Sequence, residues 1–242
     1  MRTTERFRHF LDYFTINFPQ PETELQYANP YELIVAVVLS AQCTDKRVNL
    51  VMPALMQQFP TPAHLAAASP DDIFPFIRSI SYPNNKAKHL AGLGRILSAE
   101  FGGEVPSSIE ELQRLPGVGR KTANVVVSVI YNQPAMAVDT HVFRVSHRLG
   151  LVPRTATTPL AVEKALVKHI PEALIPKAHH WLILHGRYIC VARQPKCSIC
   201  PLAGWCKYYA QHVSPVATAT KQPTATTFLP DSEASAHVDS TT

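Results

Sequence analysis

A lysine follows directly on a proline- and glycine-containing turn in the segment LPGVGRKT at 115–122. Pro116 ends the helix before the turn, while Gly117 and Gly119 allow backbone angles and close approaches that a Cβ would block. The turn leads into a helix whose first N–H groups lack partners and can bind an anion such as a phosphate. The segment predicts either a plain corner between helices or a phosphate-binding hairpin, and the sequence Arg-Lys-Thr that follows favours the hairpin.

Lys121 falls in the first turn of the second helix, where the positive end of the helix dipole disfavours a protonated amine. An unprotonated amine beside a phosphate is a nucleophile, whereas a protonated one is a simple phosphate contact. Asp139 follows in VDTHVFRV, directly before a helical pattern, which is typical of an N-cap. Its carboxylate could also accept the proton of an amine or face a developing cation. These residues alone do not decide whether Lys121 is a nucleophile or a phosphate contact. They also do not decide whether Asp139 acts only as an N-cap or takes part in the chemistry.

Four of the five cysteines lie close together, at Cys190, Cys197, Cys200 and Cys206. A tight group of this kind in an intracellular protein indicates a metal site rather than disulfides. Zinc and a [4Fe–4S] cluster both take four thiolates. Zinc sites usually show two close cysteine pairs and only one is present here, so the spacing leaves the metal open. Cys43 stands apart and is predicted to be a small buried residue.

The composition predicts a basic globular protein. Of its 242 residues, 46% are hydrophobic and 17% charged, which suffices for a sizeable core and is too little charge for a disordered polyelectrolyte. The net charge is +5, and residues 1–212 carry 22 basic against 15 acidic side chains, or +7, which allows a polyanionic partner without requiring one. No apolar run is long enough for a transmembrane helix, and the N-terminus has no signal-peptide core. We therefore expect a cytoplasmic protein without membrane contact.

Helix signals recur along the chain, while strand signals are few. A polar cap followed by proline occurs at 29–30, 61–62, 69–70 and 158–159, and Pro53 is expected to kink or divide its helix. The run Val125–Ile130 could form a strand by propensity, but its neighbours fit a buried helix. The pattern predicts an all-α protein of roughly ten short helices, followed by a disordered tail over 213–242 that is rich in Thr, Ser, Ala and Pro.

Four segments together resemble bacterial endonuclease III, a bifunctional base-excision glycosylase of the helix-hairpin-helix superfamily. They are LPGVGRKTANVV at 115–126, AVDTHVFRV at 137–145, LSAQCTD at 39–45 and HHWLILHGRYIC at 179–190. The resemblance covers about residues 1–210. It implies a two-domain all-α fold with a DNA cleft between the domains. One is a six-helix domain with the hairpin over 23–135, and the other a discontinuous iron–sulfur domain made of 1–22 and 136–212.

The resemblance implies specific chemistry for Lys121 and Asp139. The damaged base leaves the stack, and the Lys121 amine attacks C1′ of the deoxyribose as the base departs. Asp139 deprotonates the amine or stabilises oxocarbenium character, and the resulting Schiff base undergoes β-elimination that breaks the strand 3′ to the lesion. The implied substrates are oxidised pyrimidines and abasic sites in double-stranded DNA. The implied cofactor is a [4Fe–4S] cluster on the four cysteines, and we expect a nucleoid-associated monomer.

The resemblance also implies a set of DNA contacts. Gln42 would fill the gap left by the flipped base, with a helix-end amide as the alternative. Tyr82 falls where the family commonly has a leucine wedge, and an aromatic side chain could intercalate there as well. The loop between the first two cysteines would present basic residues to phosphates, while His141 and Arg144 are either backbone contacts or plain helix-surface residues. The full set is Gln42, Tyr82, Pro116, Gly117, Val118, Gly119, Arg120, Thr122, His141, Arg144, Arg193 and Lys196.

Two other functions compete with this interpretation. A monofunctional mismatch glycosylase would use water in place of an amine, and Lys121 argues against it. A non-catalytic DNA-binding module with a metal-stabilised end would need neither Lys121 nor Asp139. Trapping of a covalent protein–DNA adduct with borohydride separates all three.

Overall fold

In the computed structural model, which describes residues 1–213, every regular element is helical. The all-α prediction is confirmed, and the run 125–130 belongs to a helix rather than a strand. The predicted tail lies outside the described residues except for Val213. None of the helices in the described range is both long and apolar enough to cross a bilayer. The α-helices are α1 Thr3–Asn17, α2 Pro30–Ser40, α3 Asp45–Gln58, α4 Pro62–Ala67, α5 Pro70–Ile77, α6 Pro83–Glu100, α7 Ile109–Leu112, α8 Arg120–Tyr131, α9 Thr140–Leu149, α10 Pro159–Val167, α11 Ile175–Tyr188 and α12 Lys207–His212.

Short polar side chains and prolines set the starts of many helices. Asn29 caps α2 by accepting a hydrogen bond from the Glu32 N–H at 2.9 Å, and α3, α5, α7 and α10 have comparable Thr or Ser caps. Proline in the first turn of α2, α4, α5, α6 and α10 removes one of the N–H groups that would lack a helical partner there. Pro53 does not divide α3, because the buried Met52 and Leu55 on either side hold the helix against the core.

Two clusters of buried side chains form the core. The first contains residues between 25 and 135 and is centred on α2, seven of whose side chains from 33 to 39 are buried in succession. The second joins residues 7–14 of α1 to residues 136–206. Trp181 anchors α1 there, since its indole N–H donates to the Phe18 carbonyl at 2.8 Å and its ring stacks on Phe14. The clusters agree with the division into 23–135 and 1–22 plus 136–212, which stays a prediction.

Ion pairs connect the two clusters. Arg120 at the start of α8 binds Glu163 of α10, with the closest atoms 2.5 Å apart. Arg187 of α11 binds Asp45 at the start of α3 at 2.6 Å and also pairs with Glu24 in the segment after α1. Together with the buried connection 135–138, these pairs set the position of α8 relative to α9 and α11.

Candidate active site

The turn between α7 and α8 has a backbone that requires glycine at one position. Gly117 has a φ of +82°, in the left-handed region, and a Cβ there would lie 3.1 Å from His89 of α6. The Val118 N–H donates to the Leu115 carbonyl at 3.0 Å, and the Val118 side chain is buried, which leaves only its backbone for a contact. Within the described residues, Ala123 is the first residue of α8 whose amide has a backbone partner. The amides at 120–122 are therefore available to an anion.

Replacement of Gly117 by alanine is expected to lower the free energy of unfolding by about 1–2 kcal/mol, because an L-residue is strained at this φ. Duplex binding should weaken as the turn moves away from His89. Denaturant unfolding and titration with a DNA duplex at fixed salt measure the two effects. Gly119→Ala is the matched control for stability, since its φ is −89° and nothing lies within 4 Å of the added Cβ. An equal loss of stability in both variants would contradict the conformational argument.

Asn124 connects the helix of Lys121 with the segment of Asp139. Lys121 and Asn124 lie about one turn apart on α8 and so project from the same side of the helix. The buried Asn124 side chain donates from Nδ2 to the Met136 carbonyl at 3.1 Å, three residues before Asp139. This bond joins α8, about one turn after Lys121, to the chain that leads into α9. The Lys121 side chain is exposed and thus open to a molecule bound on the hairpin.

His179 of α11 holds the same segment from the other side. Its Nδ1 lies 3.0 Å from the Ala137 carbonyl, and since a carbonyl only accepts, this nitrogen carries the proton of a neutral ring. Burial, followed by the neighbouring His180 and Lys121, lowers the pKa of His179 to about 3. Lys121 is thus close enough to this ring to act on its pKa electrostatically. Asn124 and His179 were not identified from the sequence. The available signal for Asn124 was a polar residue beside an apolar run, and for His179 it was a pair of histidines before a tryptophan.

The buried histidines predict a pH dependence of stability. Burial also lowers the pKa of His180 to about 4, so both rings resist protonation in the folded chain while the unfolded chain protonates near 6.5. The unfolded state then binds more protons below pH 6.5, and stability falls as the pH drops from 6.5 towards 4. The slope is about 1.4 kcal/mol per pH unit for each histidine. Denaturant unfolding across this range measures it, with His180→Gln expected to lower the slope. A flat profile would contradict the assignment.

Asp139 is the N-cap of α9, and only one of its two carboxylate oxygens is used for capping. Its Oδ1 accepts from the N–H groups of His141 and Val142, both at 2.8 Å. Its Oδ2 makes no hydrogen bond among the described residues and is the atom available to an amine or a cation. The N-cap expectation is met by this geometry, and capping leaves the carboxylate able to do chemistry.

A cavity of about 710 Å³ opens beside the N-terminal turn of α9, within the usual range for ligand pockets. His141 lines it from α9, and Arg187 with Tyr188 lines it from α11. Residues between 24 and 50 complete the wall, among them the carboxylates of Glu24 and Asp45. The cavity is large enough to receive a nucleobase that has left a duplex.

Two of the predicted DNA-contacting arginines have partners within the chain. Arg120 binds the Glu163 carboxylate with Nε and Nη2, although its side chain remains 49% exposed. Arg144 donates to the carbonyls of Gly186 and Cys190 at 2.8 and 3.1 Å, so its guanidinium caps the end of α11. As DNA contacts they stay predictions. Of the remaining members of the set, Gln42, Tyr82, Gly117, Gly119, Arg193 and Lys196 are exposed, and Pro116, Thr122 and His141 are half-buried.

The four cysteines line one cavity beneath the loop 191–196. Cys190 and Cys206 are buried, and the other two are half-buried. Within residues 1–213, no group of three or more His, Cys, Asp or Glu side chains converges on a point that a single metal ion could occupy. Thiols spread around a cavity fit a four-iron cluster, in which each thiolate binds a different iron, better than they fit one zinc ion.

Arg148 in the last turn of α9 orders the loop over this cavity. Its guanidinium donates to the carbonyls of Val191 and Ala192 at 2.8 and 2.7 Å and lies 3.5 Å from the Cys190 Sγ. The same group stacks on the Tyr208 ring at 4.6 Å. The sequence gives no signal for this role beyond a basic residue near a helix end, and the contacts leave Arg193 and Lys196 exposed on an ordered loop.

Comparison with known proteins agrees with this architecture. Residues 35–172 match the HhH-GPD superfamily of base excision DNA repair proteins, and residues 190–206 match the iron–sulfur binding domain of endonuclease III. Endonuclease III of Rickettsia felis is 48% identical over 196 residues, covering 81% of this chain and 91% of that protein. The Escherichia coli enzyme is 43% identical over 192 residues, covering 79% and 90%.

Solved structures give the same result. A trapped endonuclease III–DNA covalent intermediate superimposes with a TM-score of 0.82 at 46% identity, covering 87% of this chain and 98% of that one. A thermostable thymine-DNA glycosylase shares the fold, with a TM-score of 0.76 at 21% identity, covering 86% and 98%. The expectations of this family, its fold and its [4Fe–4S] cluster are confirmed. The chain belongs to the endonuclease III family of base excision DNA repair enzymes, and it is a DNA glycosylase and AP lyase that binds DNA.

Proposed function

We propose that this enzyme removes oxidised pyrimidines from double-stranded DNA through the amine of Lys121, with Asp139 as its proton acceptor. The observation that carries the proposal is the Asn124–Met136 hydrogen bond, which joins α8, about one turn after Lys121, to the chain leading into the Asp139 cap. A nucleophile and a base within reach of the same sugar carbon are the minimum that displacement at C1′ requires.

The reaction proceeds by exchange of two C–N bonds. As the glycosidic bond to the base breaks, Lys121 Nζ forms a bond to C1′, and Asp139 Oδ2 takes the proton that the amine loses. The departing base takes up a proton from water. Breaking of the C1′–O4′ bond, with a proton from water taken up at O4′, converts the adduct to a Schiff base. Water then accepts a C2′ proton, the C3′–O bond breaks, and the 3′ phosphate leaves. An amine is essential because a hydroxyl or carboxylate could not form this imine.

The cavity beside α9 supports the choice of an oxidised pyrimidine as substrate. The carboxylates of Glu24 and Asp45 in its wall are acceptors that can bind the ring N–H and the added hydroxyl groups of such a base. Arg187, which bridges the two carboxylates, offers donors to the carbonyl oxygens. An undamaged thymine lacks the hydroxyl groups and would leave part of this polar wall unpaired.

The proposal assigns the phosphate contacts to two separate parts of the chain. The hairpin amides at 120–122 form one group, and Arg193 with Lys196 on the loop between the first two cysteines forms the other. Gln42 and Tyr82, both exposed, enter the duplex at the vacated position. All of these groups belong to one chain, which supports action as a monomer. Because its substrate is DNA, we expect the enzyme to associate with the nucleoid.

Cys190, Cys197, Cys200 and Cys206 are the proposed ligands of the [4Fe–4S] cluster. Bound iron and sulfide would cross-link the end of α11 to the chain before α12 and so hold the basic loop in place. No step at C1′ passes through the cluster. Arg148 binds the same loop through the carbonyls of Val191 and Ala192.

Borohydride trapping on a duplex that contains thymine glycol tests the proposal. The expected result is a covalent protein–DNA adduct, together with strand cleavage when borohydride is omitted. Release of the base without an adduct would favour a monofunctional glycosylase, and binding without either would favour a non-catalytic module. A duplex with undamaged thymine is the control for lesion recognition.

A further inference from the structure

Lys86 on α6 is buried, with 5% of its surface exposed, and no step of the proposed reaction uses it. Its Nζ donates to the Leu39 carbonyl at 2.8 Å and to the Ala41 carbonyl at 2.6 Å. Both acceptors lie at the C-terminal end of α2, where carbonyls lack partners in the helix and the dipole favours a cation. The ammonium therefore caps α2 from a separate helix, next to the loop that bears Gln42.

A further hydrogen bond connects the loop that bears Gln42 with the residues just before α6. Ser81, directly before Tyr82, donates from its hydroxyl to the Gln42 carbonyl at 2.7 Å. Lys86 lies one turn after Tyr82, and its N–H donates to the Tyr82 carbonyl at 3.1 Å. Three side-chain hydrogen bonds thus connect residues 39–42 with residues 81–86, two from the buried Lys86 and one from Ser81 near the surface.

Gln42 and Tyr82 also have the same unusual backbone. Each has a φ of +56°, in the left-handed region that favours glycine, and each has an exposed side chain. Residues other than glycine keep such angles only where their surroundings impose them, and strain of this kind collects at functional sites. The bonds from Lys86 and Ser81 lie directly beside both residues.

We propose that Lys86, assisted by Ser81, is a positioning residue that locks the Gln42 and Tyr82 loops together, so that both side chains enter the duplex as one rigid unit. The inference rests on the proposed function, in which these two side chains replace the extruded base. Lys86 touches neither DNA nor the reacting atoms. It acts by fixing two strained loops in advance, which spares the DNA complex the cost of ordering them.

Lys86→Met tests this role, because it keeps the length of the side chain and removes the ammonium. We expect kcat/KM for excision of thymine glycol from duplex DNA to fall about tenfold. A 2-aminopurine opposite the lesion should lose most of its fluorescence rise on binding. Borohydride trapping on a single-stranded abasic site needs no insertion and should change by less than about twofold. Lys168→Met, an exposed lysine at the end of α10, is the matched control.

A double-mutant comparison isolates the mechanism. In a Gln42→Ala, Tyr82→Ala background, Lys86→Met should have little further effect on duplex excision, because the groups through which it acts are gone. A full tenfold effect in that background, or an equal loss on single-stranded abasic DNA, would overturn the inference. If Lys86→Met does not fold, Ser81→Ala decides: a fluorescence rise reduced two- to fivefold supports the lock, and an unchanged rise overturns it.

The same variants keep this inference separate from the proposed function. An unchanged fluorescence rise in the Gln42→Ala, Tyr82→Ala enzyme would show that these side chains do not enter the duplex, which overturns the proposed insertion and the lock together. A lost rise in that enzyme combined with a normal rise in Lys86→Met would overturn the lock alone.

Discussion

Replacement of Lys121 by glutamine is expected to abolish strand cleavage and covalent trapping, with kcat reduced by at least about 10³-fold. Glutamine keeps the length and hydrogen-bonding ability of the side chain and removes the nucleophile. The exposed position in the first turn of α8 predicts no loss of stability, and the hairpin amides and the basic loop remain to bind DNA. Single-turnover cleavage of a thymine-glycol duplex, with a parallel binding titration, measures the separation of binding from chemistry.

The Lys121→Arg variant distinguishes a lysine that acts as the nucleophile from one that only supplies a positive charge. Arginine retains a cation beside the phosphate and forms no Schiff base, so it should be as inactive as glutamine while binding DNA as tightly as the unmodified enzyme. Lys168→Gln controls for the loss of a lysine elsewhere. Substantial cleavage by Lys121→Arg would mean that the lysine is only a phosphate contact and that water or another group attacks C1′.

Asp139 should show two separable functions. Asparagine caps helices as well as aspartate does, so Asp139→Asn should keep the hydrogen bonds to His141 and Val142 and the stability of α9. It removes the carboxylate that we propose as the proton acceptor of Lys121, and kcat should fall by about 10²–10⁴-fold. Asp139→Ala should lose activity to a similar extent and a further 1 kcal/mol, roughly, of unfolding free energy with the cap.

Rapid-quench kinetics and urea unfolding of both variants test this separation. Wild-type stability with low activity in Asp139→Asn would support a chemical role for the carboxylate beyond capping. Near-normal cleavage by Asp139→Asn, with activity lost only where α9 is destabilised, would show that the residue is only a cap and that another group accepts the proton.

Local chemistry explains what could be predicted from the sequence. Caps and first-turn prolines act within three or four residues, so the starts of α2, α5 and α10 could be located from neighbouring letters. The glycine turn before Lys121 and the cysteine spacing are local patterns as well. Tyr82 is a predicted DNA contact because it occupies the position where the family commonly has a leucine wedge. Its left-handed backbone conformation could not be predicted, because tyrosine rarely adopts it.

What could not be predicted depends on contacts between distant parts of the chain. Lys86 meets the carbonyls of Leu39 and Ala41 across more than 40 residues, and in the sequence it is one lysine on a helix with several polar residues. Arg144 looks like a surface cation of an amphipathic helix, yet close packing of α9 on α11 at Gly186 directs its guanidinium to buried carbonyls. Pro53 interrupts a pattern but not the helix, because tertiary packing outweighs the missing hydrogen bond.

Peptide mapping of the borohydride-trapped adduct tests the central claim most directly. The trapped complex with an abasic duplex is digested with protease and nuclease, and mass spectrometry locates the reduced deoxyribose remnant. The account predicts the remnant on the Nζ of Lys121, in the peptide that begins α8. A remnant on the N-terminal amine or on another lysine, with Lys121 unmodified, would contradict it.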